Sequence, residues 1–349
     1  MKGKGKIFGW GLIGFLVLIS ACGSGEDSGS ALISSLEAPE FYSQTISPFT
    51  GSTWKKGSAG YGYSCGIASD SSLWCWGDNG YGQLGIGNTT DQNAPVRVGT
   101  AKNWALVSGG DSHTCAKKTD GSLWCWGYNG DGELGIGNNT DQWTPVHVGS
   151  AKNWASVSTR GYHTCAKKTD DTLWCWGYNK YGQLGIANNT NQNTLVRVGN
   201  AKNWASVSAG YYHTCAKKTD SSLWCWGDNR HGQLGIGNTT DQNASVRVGT
   251  AKNWASVSGG ESHTCAKKTD GSLWCWGYNV DGELGIGNNT PQNTPVRVGT
   301  AKNWASVYTG EYHNCAKKTD SSLWCWGYND HGQLGIGNTT DQNTPVRVP

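Results

Sequence analysis

A unit of fifty residues is written six times between Gly51 and the C-terminus, and this periodicity limits the fold more tightly than any motif inside it. Trp54, Trp104, Trp154, Trp204, Trp254 and Trp304 stand at a constant spacing of 50. Around them recur Ala-Lys-Asn-Trp-Ala-Ser-Val-Ser, His-Thr-Cys-Ala-Lys-Lys-Thr-Asp, Ser-Leu-Trp-Cys-Trp-Gly and Gly-Gln-Leu-Gly-Ile-Gly. A unit this small cannot bury its apolar face alone and must stack on its neighbours, so a period of this size signals a propeller or solenoid. The 349 residues therefore read as one repeat body, 51–100, 101–150, 151–200, 201–250, 251–300 and 301–349, behind an N-terminal segment of different character.

The repeat 101–150 predicts four short strands, at about 103–108, 112–118, 122–128 and 144–148, separated by Gly, Asn and Asp. Trp, Val, Thr and Tyr are abundant, which suits an all-β fold. Four antiparallel strands make one propeller blade. The expectation is an all-β propeller of six four-stranded blades. A seventh, degenerate blade drawn partly from residues 31–50 stays open, as does a closing strand near 47–52 set against Val346–Val348.

Register can be read from the central hairpin. If Thr119-Asp120-Gly121 forms a three-residue loop, Ala116 faces Trp124, Cys115 faces Cys125 and Thr114 faces Trp126. A two-residue turn would need two positive φ values, which suits Ser71, Asp171, Ser221 and Ser321 poorly. Thirteen cysteines then resolve as Cys22 and six cross-strand disulfides: Cys65–Cys75, Cys115–Cys125, Cys165–Cys175, Cys215–Cys225, Cys265–Cys275 and Cys315–Cys325. Zinc is the poorer reading, because no second pair stands at ligand spacing. Each bridge closes a small loop and contributes at most ~3 kcal/mol. With Phe at 4 and Met at 1, the indole pairs of Ser-Leu-Trp-Cys-Trp-Gly supply much of the core. They leave the sheet opposite the sulfurs and are expected to pack against the next blade. His113, His163, His213, His263 and His313 recur on the sulfur side, where a structural hydrogen bond is expected; Tyr63 takes that place in the first repeat.

Lys2, Lys4 and Lys6 precede an apolar run from Ile7 to Ile19 that ends in Ile-Ser-Ala-Cys. The run is short for a bilayer span and fits a signal peptide over 1–21. The ending resembles a bacterial lipobox, which implies Cys22 as a lipidated first residue, followed by a tether over 22–50 that begins Gly-Ser-Gly-Glu-Asp-Ser-Gly-Ser. The expected location is a bacterial cell envelope, lipid-anchored at an outer membrane or cell surface. Without residues 1–21, Lys plus Arg falls from 28 to 25 against 25 Asp plus Glu. A neutral chain argues against a nucleic-acid partner.

The strings His-Thr-Cys-Ala, Ser-Leu-Trp-Cys-Trp-Gly-Tyr-Asn and Gly-Glu-Leu-Gly-Ile-Gly-Asn-Asn-Thr, at 113–116, 122–129 and 132–140, closely resemble the repeat of the regulator of chromosome condensation family. The resemblance covers 51–349 and is strongest to bacterial exported members with a Cys pair. It implies a β-propeller with one blade per repeat. A bacterial relative in this fold inhibits β-lactamase, which implies that such a ring can bind proteins. The seven-bladed eukaryotic namesake exchanges guanine nucleotide on a small GTPase through an inserted wedge. The uniform repeats lack such an insertion, so no small GTPase partner is expected.

Positions that differ between copies fall in two clusters. The turn before the second strand contributes Tyr61, Asp111, Tyr162, Tyr211, Tyr212, Glu261, Glu311 and Tyr312 as candidate partner-binding residues. The loop after Trp-Gly contributes Tyr81, Asp131, Tyr181, Arg230, His231, Asp281 and His331. Tyr, Asp, Arg and His on loops of a rigid scaffold are residue types of protein recognition. The functional expectation is a protein-binding scaffold, with carbohydrate or envelope-polymer binding through exposed aromatics as the alternative. No cofactor, metal site or catalytic residue is assigned. The glycine loops lack the P-loop and EF-hand spacings, and each plausible catalytic residue type is copied around the ring instead of forming one asymmetric constellation.

Overall fold

A computed structural model describes residues 53–349, so the expected signal peptide, Cys22, the expected tether and any strand or blade drawn from residues 31–52 lie outside the described residues. The central hairpin adopts the expected register in every repeat. In the second, Cys115 faces Cys125, Ala116 faces Trp124 and Thr114 faces Trp126. Lys118 N donates to Ser122 O at 3.0 Å across a three-residue loop. That loop has a single left-handed residue, Gly121 at φ 80° and Ser71, Asp171, Ser221 and Ser321 at 59–68°. All six disulfides are formed, each with a Cα–Cα distance of 4.1 Å.

Two flanking strands complete each blade. In the second repeat the strands are Trp104–Gly109, His113–Lys118, Leu123–Gly127 and Gln142–His147, antiparallel and in chain order. Six such sheets make a six-bladed propeller. The first strand of each blade lines the axis, where Ser58, Ser108, Ser158, Ser208 and Ser258 face one cavity.

The core lies between blades. Cys65, Cys75, Leu73 and Leu84 of the first blade meet Trp104, Val107, Ala116 and Trp126 of the second, and four further clusters repeat the pattern. Trp126, Trp176, Trp226, Trp276 and Trp326 are fully buried. Their neighbour is the preceding blade, not the next one as expected from the sequence. Strand alternation places indole and sulfur on opposite faces, but the direction in which blades wind about the axis decides which neighbour each face meets. The histidines point to the following blade, and His113, His163 and His213 Nε2 lie 2.8–2.9 Å from Thr164, Thr214 and Thr264 Oγ1. His263 Nε2 lies 2.9 Å from Asn314 Oδ1, and Tyr63 OH donates to His113 O at 2.6 Å.

Candidate functional site

The turn between the first and second strands is compressed at the axis. A Cβ on Gly110 would fall 2.6 Å from His113 Cε1, and Gly210, Gly260 and Gly310 are similarly confined. Small residues there let neighbouring turns touch. Tyr61 N donates to Gly110 O, Asp111 N to Gly161 O and Tyr211 N to Gly260 O, at 3.0–3.4 Å. Within a blade, Tyr128 N donates to Ser112 O, Tyr178 N to Tyr162 O and Asp228 N to Tyr212 O, at 2.8–2.9 Å. These bonds stitch the two variable clusters into one surface on one face of the ring.

The loop after the third strand is held from beneath by a buried asparagine. Asn129 Oδ1 accepts from Leu134 N at 2.9 Å, while its Nδ2 donates to Asn138 O at 2.9 Å and Thr140 O at 3.1 Å. Asn79, Asn179, Asn229 and Asn329 repeat the bond to the leucine amide. The glycine-rich loop is therefore a fixed mount for the side chains it displays.

On that mount, tyrosines of four blades form a continuous cluster. Tyr81 meets Tyr128 at 5.1 Å between centroids, Tyr128 meets Tyr162 at 6.4 Å, and Tyr162 meets Tyr178, Tyr211 and Tyr212 at 5.6–6.4 Å. Tyr181 lies 5.0 Å from Tyr212, with the Arg230 guanidinium 4.7 Å above its ring. Asp228 fixes Arg230 through bonds of 2.9 and 3.0 Å. Most of the ring pairs are edge-to-face, an arrangement the aromatic quadrupole favours. Burial among the other rings pushes the Tyr212 phenol up to about 12 and that of Tyr211 higher still, so both are neutral donors and acceptors at physiological pH.

The remaining candidates occupy the rest of the face. Asp111, Glu261 and Glu311 are the acidic neighbours of Arg160, whose Nη1 donates to Thr309 O at 2.6 Å and Gly259 O at 3.2 Å. Burial pushes the Asp111 and Glu311 carboxyls upward. His231 contacts Tyr278 at 5.1 Å beside a cleft of about 330 Å³ that also includes Glu261 and Tyr312. Tyr312 and His331 flank Tyr328 at 6.3 and 6.1 Å, and Tyr61 is 61% exposed. Asp131 accepts from Asn191 Nδ2 at 2.8 Å, and the Asp281 amide donates to Glu283 Oε2 at 3.0 Å. Arg160 was not among the residues singled out from the sequence. Its signal was available, since it alone replaces the Gly found at 60, 110, 210, 260 and 310. Among the described residues, no group of three or more His, Cys, Asp or Glu is placed to share a metal ion.

A family profile described as RCC1-like domain matches residues 18–349. Human WBSCR16 is similar in structure, with TM-score 0.76 and 21% identity over 86% of this chain and 82% of that one. Yeast RCC1 (Prp20), solved bound to Kap60, aligns with TM-score 0.75 and 21% identity over 84% of this chain and 74% of that one. A second structure, of Prp20p from Saccharomyces cerevisiae, whose binding to Gsp1p and histones is described with it, gives TM-score 0.74 and 21% identity over 84% and 76%. None of the curated proteins matches the chain in sequence.

Proposed function

The chain belongs to the RCC1-like domain family, and from that premise we propose that it is a protein-binding scaffold whose contact surface is the tyrosine-bearing face of the ring. One observation carries the reading: Tyr81, Tyr128, Tyr162, Tyr178, Tyr181, Tyr211 and Tyr212 form one cluster, with Arg230 against it, on loops fixed by backbone bonds. Rigid amphipathic rings bury large area with little loss of side-chain entropy and dominate binding hot spots. The family supports the same direction, since the yeast relative was solved with a protein partner. Fold alone does not carry function, so the choice of face rests on the residues. The carbohydrate alternative draws less support, because edge-to-face packing leaves few flat ring faces free to stack on a sugar. A non-catalytic role fits the copying of each reactive residue type around the ring.

The scaffold is further read as lipid-anchored through Cys22 outside the cytoplasm, a reading supported by the lipobox-like Ile-Ser-Ala-Cys and by six pairs of cysteines, which suit an oxidising compartment. The test is crosslinking capture from native envelope and culture fluid with the natural chain and with Tyr162→Ser/Tyr181→Ser/Tyr212→Ser. A protein held by the first and weakened at least ~10-fold in the second is expected, about 1.4 kcal/mol or more. Equal capture by both would refute the assigned face. Cys22→Ala should move the protein out of the membrane fraction, and unchanged retention would sink the anchor.

A further inference from the structure

At the junction of the third and fourth blades the protein completes a three-part unit from its own residues. The Arg230 guanidinium lies 4.7 Å above the Tyr181 ring, and Asp228 accepts from its Nε and Nη2 at 2.9 and 3.0 Å. The electron-rich ring face attracts the charge, and the carboxylate accepts the forked N–H donors. Cations over rings recur elsewhere in the fold. Lys118, Lys168, Lys218, Lys268 and Lys318 each stand over two indoles at 3.7–5.1 Å.

One blade further round, the ring and the acid are present and the cation is not. His231 stands at the place of Tyr181, Tyr278 at that of Asp228 and Val280 at that of Arg230. Val280 carries no charge and is 50% exposed. Beside these positions lies the cleft of about 330 Å³, lined by His231 of the fourth blade, Glu261, Ser262 and Tyr278 of the fifth, and Tyr312 of the sixth. Tyr278 N donates to Ser262 O at 2.9 Å, which ties the two loops of the fifth blade together at the cleft. The Tyr312 phenol donates to Glu261 and so holds ring and carboxylate side by side. Glu261 thus supplies the acid that Asp228 supplies one junction earlier, from the turn between the first two strands.

Apart from His231, the titratable neighbours of these rings are acids. Glu261, Asp281 and Glu283 act on Tyr278, and Glu261 and Glu311 on Tyr312. Arg160 faces Asp111, Glu261 and Glu311 together, one positive charge against three carboxyl groups, and directs Nη1 to the carbonyls of Gly259 and Thr309. The ion pairs among the described residues do not include Glu261. A solvent-open cleft with tyrosine walls and one such carboxylate is complementary to a flat cation.

We infer that this cleft receives an arginine side chain of the protein partner, its guanidinium against Tyr278 and Tyr312 and its N–H groups on Glu261, an inference that rests on the protein-binding reading above. Arginine fits better than lysine, because its planar fork reproduces the unit of Arg230, Asp228 and Tyr181, whereas an ammonium is a compact and strongly hydrated charge. The face then has two parts. The tyrosine cluster of the first four blades takes apolar surface, and the cleft takes one positive charge that fixes the partner's orientation.

The test uses the full chain labelled with 3-fluorotyrosine, its resonances assigned with Tyr278→Phe and Tyr312→Phe. The chain is titrated with acetyl-Gly-Arg-Gly-amide and with the same peptide carrying citrulline, the neutral isostere of arginine. Saturable fluorine shifts at both tyrosines are expected for the arginine peptide, with half-saturation below ~10 mM. Binding should weaken at least ~10-fold for the citrulline peptide and in Glu261→Gln, equivalent to about 1.4 kcal/mol. Tyr162→Ser/Tyr181→Ser/Tyr212→Ser should keep the arginine response, so partner capture by that variant reports on the tyrosine face and the peptide response reports on the cleft. Equal binding of the arginine and citrulline peptides, binding unchanged by Glu261→Gln, or no shift at Tyr278 and Tyr312 would overturn the inference and leave the tyrosine face to be decided by capture. An equal response to acetyl-Gly-Lys-Gly-amide would overturn the choice of arginine.

Discussion

Replacing Glu133 by Gln should stabilise the protein at alkaline pH and leave it almost unchanged at pH 5. Glu133 is fully buried, its Oε2 accepting from Asp131 N at 3.0 Å and its Oε1 without a partner among the described residues. Four other copies have Gln at this place, and Gln83 Oε1 accepts the Tyr81 amide in the same way at 2.9 Å. Burial pushes the Glu133 carboxyl from its ordinary 4.5 up to about 8, and Glu283, its counterpart in the fifth blade, up to about 7. The folded chain then keeps a proton that the unfolded chain releases above pH 4.5. Stability from this group is complete below that value and is lost as pH rises toward 8. At 1.36 kcal/mol per pH unit the full span from 4.5 to about 8 corresponds to at most ~5 kcal/mol. Water entry and local relaxation reduce this, so a gain of about 1–3 kcal/mol is expected for Glu133→Gln at pH 8.5 and under ~0.5 kcal/mol at pH 5. Calorimetric melting of both proteins at pH 5, 7 and 8.5, with disulfides intact, measures it. A difference in melting temperature that is constant with pH, or largest at pH 5, would refute the buried-acid argument.

Three further outcomes are expected. The buried rings of His113, His163, His213, His263 and His313 are pushed down to about 3–4 by burial, below the ordinary 6.5. The unfolded chain therefore takes up protons first, and stability present above pH 6.5 is lost as pH falls toward 4. Five histidines outweigh the two opposing glutamates, so melting temperature should peak near pH 6.5, and equal values at pH 4.5 and 6.5 would exclude this. Reduction of the six bridges should lower the melting temperature by well over 10 °C, and twelve titratable thiols in the native protein would contradict the pairing. Gly185→Ala should cost about 2–4 kcal/mol in unfolding experiments, because its Cβ would fall 2.7 Å from Trp226 Nε1 at φ 68°. A cost below ~1 kcal/mol would show that the indole seat yields.

Much of this fold is legible in the sequence because its determinants are local. The fifty-residue period requires stacked units, and a ten-residue separation between cysteines, with one residue able to take positive φ in the loop, fixes a hairpin register that brings Cys115 opposite Cys125. The loop variation around Tyr162 and Tyr181 falls on half-buried rings of one face. Tertiary structure decided the rest. Alternation along a strand shows that Trp126 and Cys125 leave on opposite faces, but only the winding of the blades seats the indole on the preceding blade. Two clusters separated in each repeat become one surface only when bonds such as Tyr178 N to Tyr162 O join them. Arg160 finds Thr309, 149 residues away, because the ring brings inner strands from distant repeats to one axis. Repetition in sequence describes five like junctions, whereas the sixth depends on whether the ends of the array meet, a property of the accumulated rotation between blades that no single repeat contains.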